Sequence, residues 1–132
     1  MRHGTKFEPE RHGPAGLRTF VNIARLWDLG VQEQMAMLGI SEHSNFDDWI
    51  AHAQSHIPVT IPMEVIERIG YVLSIYGSLV TLSLEECSGD WLRAPNSSST
   101  FNGSSALELM ISGDFNDLRK VARYLLGQIY GT

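Results

Sequence analysis

The sequence predicts an all-α protein, on three observations. Apolar residues recur at helical spacing along most of the 132 residues. No stretch alternates apolar and polar with period two for long enough to make a strand, and Gly and Pro fall between the periodic segments, where helices stop. A composition of 43% hydrophobic and 19% charged residues is that of a globular domain and excludes wholesale disorder. A chain of this length buries roughly two-thirds of its unfolded surface, so it needs neither disulfide nor metal to hold its fold.

Residues 1–16, rich in Gly, Pro, His and charge, are expected to form a disordered arm. Leu17, Phe20, Val21, Ala24 and Trp27 then make one helical stripe, with Gly30 as its left-handed stop. Val31, Met35 and Leu38 predict a shorter helix closed by Gly39. Ser44 followed by Asp47 resembles a capping box, and Phe46, Trp49, Ile50 and Ala53 share the face of the helix that follows it. Pro58 is expected to end that helix, and Pro62 fits the first turn of the next. This next helix carries Val65, Ile66, Ile69, Val72, Leu73, Tyr76, Leu79 and Val80, and is expected at the centre of the core. Its serines and Gly77 suit close packing against a neighbour. A polar stretch over residues 85–103, with Ser97, Ser98, Ser99 and Thr100, is expected as the one long loop. Two helices follow: one over residues 106–112, stopped by Gly113, and one over residues 114–130 with Phe115, Leu118, Val121, Leu125 and Ile129 inward. Arg119, Lys120 and Arg123 are expected to turn away from the core.

The net charge of −5 is unevenly spread. Residues 25–92 carry two Lys/Arg against ten acids, while both ends are mildly basic. Such a balance disfavours non-specific coating of nucleic acid. The longest uncharged run, residues 69–84, falls short of the ~20 residues needed to span a bilayer. The N-terminus lacks the apolar core of a signal peptide. A soluble, cytoplasmic protein with no membrane partner is expected.

The residues carry little catalytic chemistry. His52 and His56 stand four apart, a spacing a metal can use, but no third ligand accompanies them, and such histidines are more often polar surface. Cys87, the one cysteine, lies beside Glu85 and Glu86, an acidic setting that disfavours a reactive thiolate. Asp47/Asp48 and Glu85/Glu86 are sequence neighbours and do not face one another as a catalytic dyad does. No nucleophile elbow, P-loop or dinucleotide fingerprint is present. No catalytic residue, metal or cofactor is expected.

Residues 31–53 have the outline of a helix-turn-helix: a short helix, a turn at Gly39 and Ile40, and a helix bearing Trp49 and Ile50. The residues placed to read DNA are Ser41, His43, Ser44 and Asn45. Asp47 and Asp48 beside them repel phosphate, although they suit the helix dipole.

The series Trp91-Leu92-x-x-Pro95-Asn96, then Phe101-x-Gly103-x-Ser105-Ala106-Leu107-Glu108-x-Met110, Gly113 and residues 121–130 resembles the toxin-binding domain of the Xre/MbcA/ParS antitoxins. Upstream, Phe20-x-Asn22-Ile23, Trp27-x-Leu29, Leu38-Gly39-Ile40, Phe46-x-x-Trp49 and Glu67-Arg68-Ile69-x-x-Val72-Leu73-x-Ile75-Tyr76 resemble the Xre-like half of the same family. The chain departs at Ser104, where many relatives have a basic residue, and at Ala106, where many have Pro.

The resemblance implies an Xre-like helical domain over residues 17–86 and a small toxin-binding domain over 87–132. It implies a partner: a cognate RES-domain toxin that destroys NAD and whose active-site cleft the antitoxin covers. It also implies a hetero-oligomer with a dimeric antitoxin, and operator DNA as a target of the complex, a regulator acting mainly on DNA being the alternative. The toxin contact is expected at Trp91, Arg93, Pro95, Asn96, Phe101, Asn102, Gly103 and Ser104. Tyr130, Gly131 and Thr132 are expected at the mouth of the toxin's active site, where a carboxylate can pair with an arginine that holds the substrate diphosphate.

Overall fold

The computed structural model describes residues 9–131, with side chains from residue 12. Seven α-helices follow one another: α1 (Pro9–Leu26), α2 (Val31–Leu38), α3 (His43–Gln54), α4 (Met63–Thr81), α5 (Ser88–Arg93), α6 (Ala106–Met110) and α7 (Phe115–Tyr130). A single 3-10 turn, Glu85–Cys87, leads into α5. The described residues contain no strand, only an isolated antiparallel bridge between Pro95 and Ser105. The all-α reading holds.

Most of the apolar periodicity built the core as expected, but Val31 and Val80, assigned to the apolar stripes, are exposed. Leu17, Phe20 and Ala24 are buried along one side of α1, with Trp27 buried just past its end, and Val65, Ile69, Val72, Ile75 and Leu79 along α4. Helix α4 packs against α1, α2 and α7, so it is the central element. One cluster of buried side chains runs from Leu17 to Leu125, with Trp27, Phe20, Phe46 and Phe101 its largest members.

The predicted arm is corrected where the structure describes it, since α1 begins at Pro9 and takes in Pro14. Residues 1–8 lie outside the described residues. The reason is packing. A Cβ added to Gly13 would stand 3.3 Å from Ile66 Cδ1, and one on Gly16 3.4 Å from Ile69 Cγ2. The two glycines, one turn apart, let α1 lie close on α4, and the buried contact outweighs their poor helix propensity.

Several predicted stops are also corrected. Gly30 is extended (φ −74°) and caps the start of α2, while Asp28 takes the left-handed conformation (φ 56°). Gly30 N donates to Glu33 Oε1 at 2.9 Å, so the carboxylate serves the helix N-terminus. Gly39 does close α2, at φ 69°. Helix α3 begins after Glu42 rather than at a Ser44 cap, and it ends at Gln54, before Pro58. Its terminal carbonyl group at Ala53 accepts from Arg18 Nη1 at 2.8 Å, which ties α3 to α1. A Cβ added at Gly77 would meet nothing within 4 Å, so the expected close approach there is absent; Ser78 is the buried small residue. The expected long loop is shorter, because residues 85–93 are helical.

Arg68 on α4 is 6% exposed. Its Nη2 donates to Gly113 O at 3.1 Å, its guanidinium lies 5.7 Å from the centre of the Phe115 ring, and its stem passes Gly39. It fastens the end of α2 to the turn before α7.

Candidate functional site

The built surface feature of the molecule is the loop of residues 94–105. Helix α5 delivers Pro95 opposite Ser105, and the bridge closes the loop at its base. Inside it, Asn96 N donates to Ser104 O at 3.1 Å and Gly103 N to Asn96 O at 2.9 Å. Phe101 N and Asn102 N both donate to Ser98 O, and Ser98 N donates to Asn96 Oδ1 at 2.9 Å. The chain reverses through Asn102 (φ 50°) and Gly103 (φ 90°). These residue types tolerate the left-handed conformation, which is why the corner falls there.

Phe101, 2% exposed, is the loop's anchor. It meets Trp91 edge-on at 6.2 Å between ring centres and Tyr124 of α7 edge-on at 4.8 Å. At the far end Ser105 caps α6: its Oγ accepts from Glu108 N at 3.1 Å, and its own N–H donates to Glu108 Oε1 at 2.8 Å. The loop is therefore held at both ends and in the middle.

The expected toxin-contact residues divide into two groups. Asn102, Gly103 and Pro95 are exposed, and Ser104 is half-buried. Phe101 is core, Trp91 is half-buried against it, and Asn96 spends its side chain inside the loop. Arg93 is exposed, but its Nη2 donates to Asp28 O at 3.0 Å and its Nη1 to Gly89 O at 3.2 Å, bracing α5 against the end of α1. Tyr130 is 75% exposed at the end of α7, and Gly131 follows in the left-handed conformation (φ 74°). Thr132 lies outside the described residues.

Ser41, His43, Ser44 and Asn45 come together on the exposed surface at the start of α3. His43 Nδ1 stands 3.0 Å from Asp47 Oδ2, so the one basic group in this patch faces an acid. His52 and His56 do not share a helix face: His52 Nδ1 donates to Asp48 O at 2.7 Å, and His56, beyond the helix, has φ 58°. Among the described residues no three His, Cys, Asp or Glu side chains gather around a possible metal position.

A second feature escapes sequence reasoning. Between residues 98–100 and α7 lies an open groove of about 590 Å³, lined by hydroxyls on one wall and by Arg119, Lys120 and Arg123 on the other. The serine run and the three cations are each visible in the sequence. They come face to face where Phe101 packs edge-on against Tyr124 of α7.

At the opposite end of α4, the Tyr76 hydroxyl donates to Glu85 Oε2 at 2.7 Å. This bond, helped by desolvation and by the carboxylate's charge, raises the phenol pKa above its ordinary value near 10. The protonated form makes the contact, so its contribution is complete below the ordinary value and is lost as pH rises through the raised one. A phenolate absorbance titration is expected to show one tyrosine ionising late, and Glu85→Gln is expected to bring it back towards the others. No late tyrosine in the parent protein would refute the contact.

The fold and its surface thus define a small all-helical protein that presents a braced loop beside a cationic groove. No helix among the described residues is long and apolar enough to cross a membrane. No family model matches the chain, and no solved structure matches it. The uncharacterized protein y4oB of Sinorhizobium fredii (strain NBRC 101917 / NGR234) is 35% identical over 116 residues, which cover 87% of this chain and 84% of that protein. The chain belongs to the family of that protein.

Proposed function

We propose that the chain is an antitoxin of the Xre/MbcA/ParS type, which binds a RES-domain toxin and covers its NAD-degrading active site in a cytoplasmic hetero-oligomer. The observation that carries this reading is the loop of residues 94–105. Its backbone is fixed by its own hydrogen bonds and by buried Phe101, while Asn102 and Gly103 project to solvent. A polar loop pre-set in one conformation loses little entropy when a partner covers it, as a binding loop requires. Tyr130, exposed on α7, offers an aromatic surface of the kind that anchors interfaces.

Co-expression with a RES-domain protein encoded beside the gene, followed by pull-down and an NAD assay, tests the reading. The parent protein is expected to co-purify with the toxin and to preserve NAD. Asn102→Asp combined with Tyr130→Ala touches only exposed positions, so helicity should persist while toxin affinity falls at least about tenfold. No complex and no protection of NAD would refute the proposal.

The α2–α3 pair gives the antitoxin a second role in which the toxin-bound assembly represses its own operon. Glu42, Asp47 and Asp48 surround the exposed Ser41, His43, Ser44 and Asn45, so one copy gains little from phosphates. Two copies on one operator raise affinity without new contacts. The free protein is expected to bind operator DNA at least about tenfold more weakly than the complex at physiological salt. Equal affinities in a mobility-shift titration would refute that division and favour an autonomous DNA-binding regulator.

A further inference from the structure

We propose that the groove between residues 98–100 and α7 binds a small phosphate-bearing anion of the pyrophosphate class. The inference stands independently of the antitoxin reading, because it uses the wall of the loop that faces α7 rather than the exposed corner at Asn102.

Three observations converge on this groove. Arg119 and Arg123 stand one turn apart on α7, and neither makes a hydrogen bond or ion pair among the described residues. Lys120 adds a third cation and pairs only loosely with Asp117, at 3.6 Å, from an exposed position. On the opposite wall the backbone N–H groups of Ser99 and Thr100 have no acceptor among the described residues.

The chemistry matches a diphosphate. Unpaired guanidinium forks fit phosphate oxygens two at a time. Successive free N–H groups in a turn make a concave anion seat. The groove's volume of about 590 Å³ exceeds what two phosphates occupy and leaves room for the organic group that carries them. A long polyanion fits less well, since the chain bears a net charge of −5 and its middle segment is strongly acidic.

Amide NMR titration of the intact protein with sodium pyrophosphate tests the site, with sodium chloride at equal ionic strength as the reference. Saturable shifts are expected at Ser98, Ser99 and Thr100 and along the Arg119 to Arg123 turn. Arg119→Gln with Arg123→Gln is expected to lower affinity at least about tenfold without loss of helicity. Arg123→Lys keeps the charge and removes one fork, so it covers the case in which the double variant does not fold; a several-fold loss is expected. Scattered shifts that never saturate, shifts equal to those in chloride, or undiminished affinity in either variant would overturn the proposal. Tighter binding of a short single-stranded oligonucleotide than of pyrophosphate would overturn it too, since the groove would then be a nucleic-acid contact.

Discussion

Phe101→Ala is expected to lower stability by about 3–5 kcal/mol, the usual range for deleting a fully buried aromatic ring. Phe101 is 2% exposed and stands between Trp91 and Tyr124, at 6.2 and 4.8 Å, so the cavity opens where α5, α7 and the loop meet. The same change releases the loop from α7, because no backbone hydrogen bond joins residues 94–105 to that helix. Thermal melting should fall by roughly 10–20 °C for a chain of this size. Amide exchange in residues 98–104 should rise more than in α4. A Phe101→Leu variant keeps most of the buried volume and should lose less than half as much. If Phe101→Ala melted within a few degrees of the parent protein, the loop would not be anchored as described.

Gly39→Ala is expected to be the most damaging single methyl addition, at about 3 kcal/mol. Two costs add. Gly39 sits at φ 69°, where a side chain costs about 1–2 kcal/mol. A Cβ there would also stand 2.7 Å from Arg68 Nε and 2.9 Å from Arg68 Cζ. Arg68 cannot swing away cheaply, because it is buried, bonded to Gly113 O and set against Phe115. Gly103→Ala separates the two costs. Gly103 has φ 90°, but nothing lies within 4 Å of an added Cβ, so only backbone strain of about 1–2 kcal/mol is expected there. Equal losses in the two variants, measured by denaturant unfolding, would show that Arg68 yields and clamps nothing.

What the sequence determined by itself was the local grammar of the chain. Period and punctuation placed α2, α4, α6 and α7 within a few residues, because an apolar stripe can be buried in only one direction and Gly39 and Gly113 both take a positive φ. Ser105 and Glu108 cap α6, whereas the capping box read from the sequence at Ser44 and Asp47 did not form. Asn102 and Gly103 were placed in the long loop, but their left-handed corner was not read from the sequence.

Tertiary structure decided the rest. Residues 9–16 have the composition of an arm, yet they are helical because Gly13 and Gly16 admit Ile66 and Ile69 from a helix some fifty positions away. Arg93 and Asn96 read as binding residues, but one braces Asp28 and the other holds Ser98. Arg68, with no role of its own legible in the sequence, is buried and fastens the end of α2 to Gly113. The cationic groove forms where Phe101 packs on Tyr124 and residues 98–100 come to face α7. A helix follows from contacts three and four residues apart, which the sequence displays directly. A site follows from surfaces joined across tens of residues, and that joining is fixed by how side-chain volumes fit in the core.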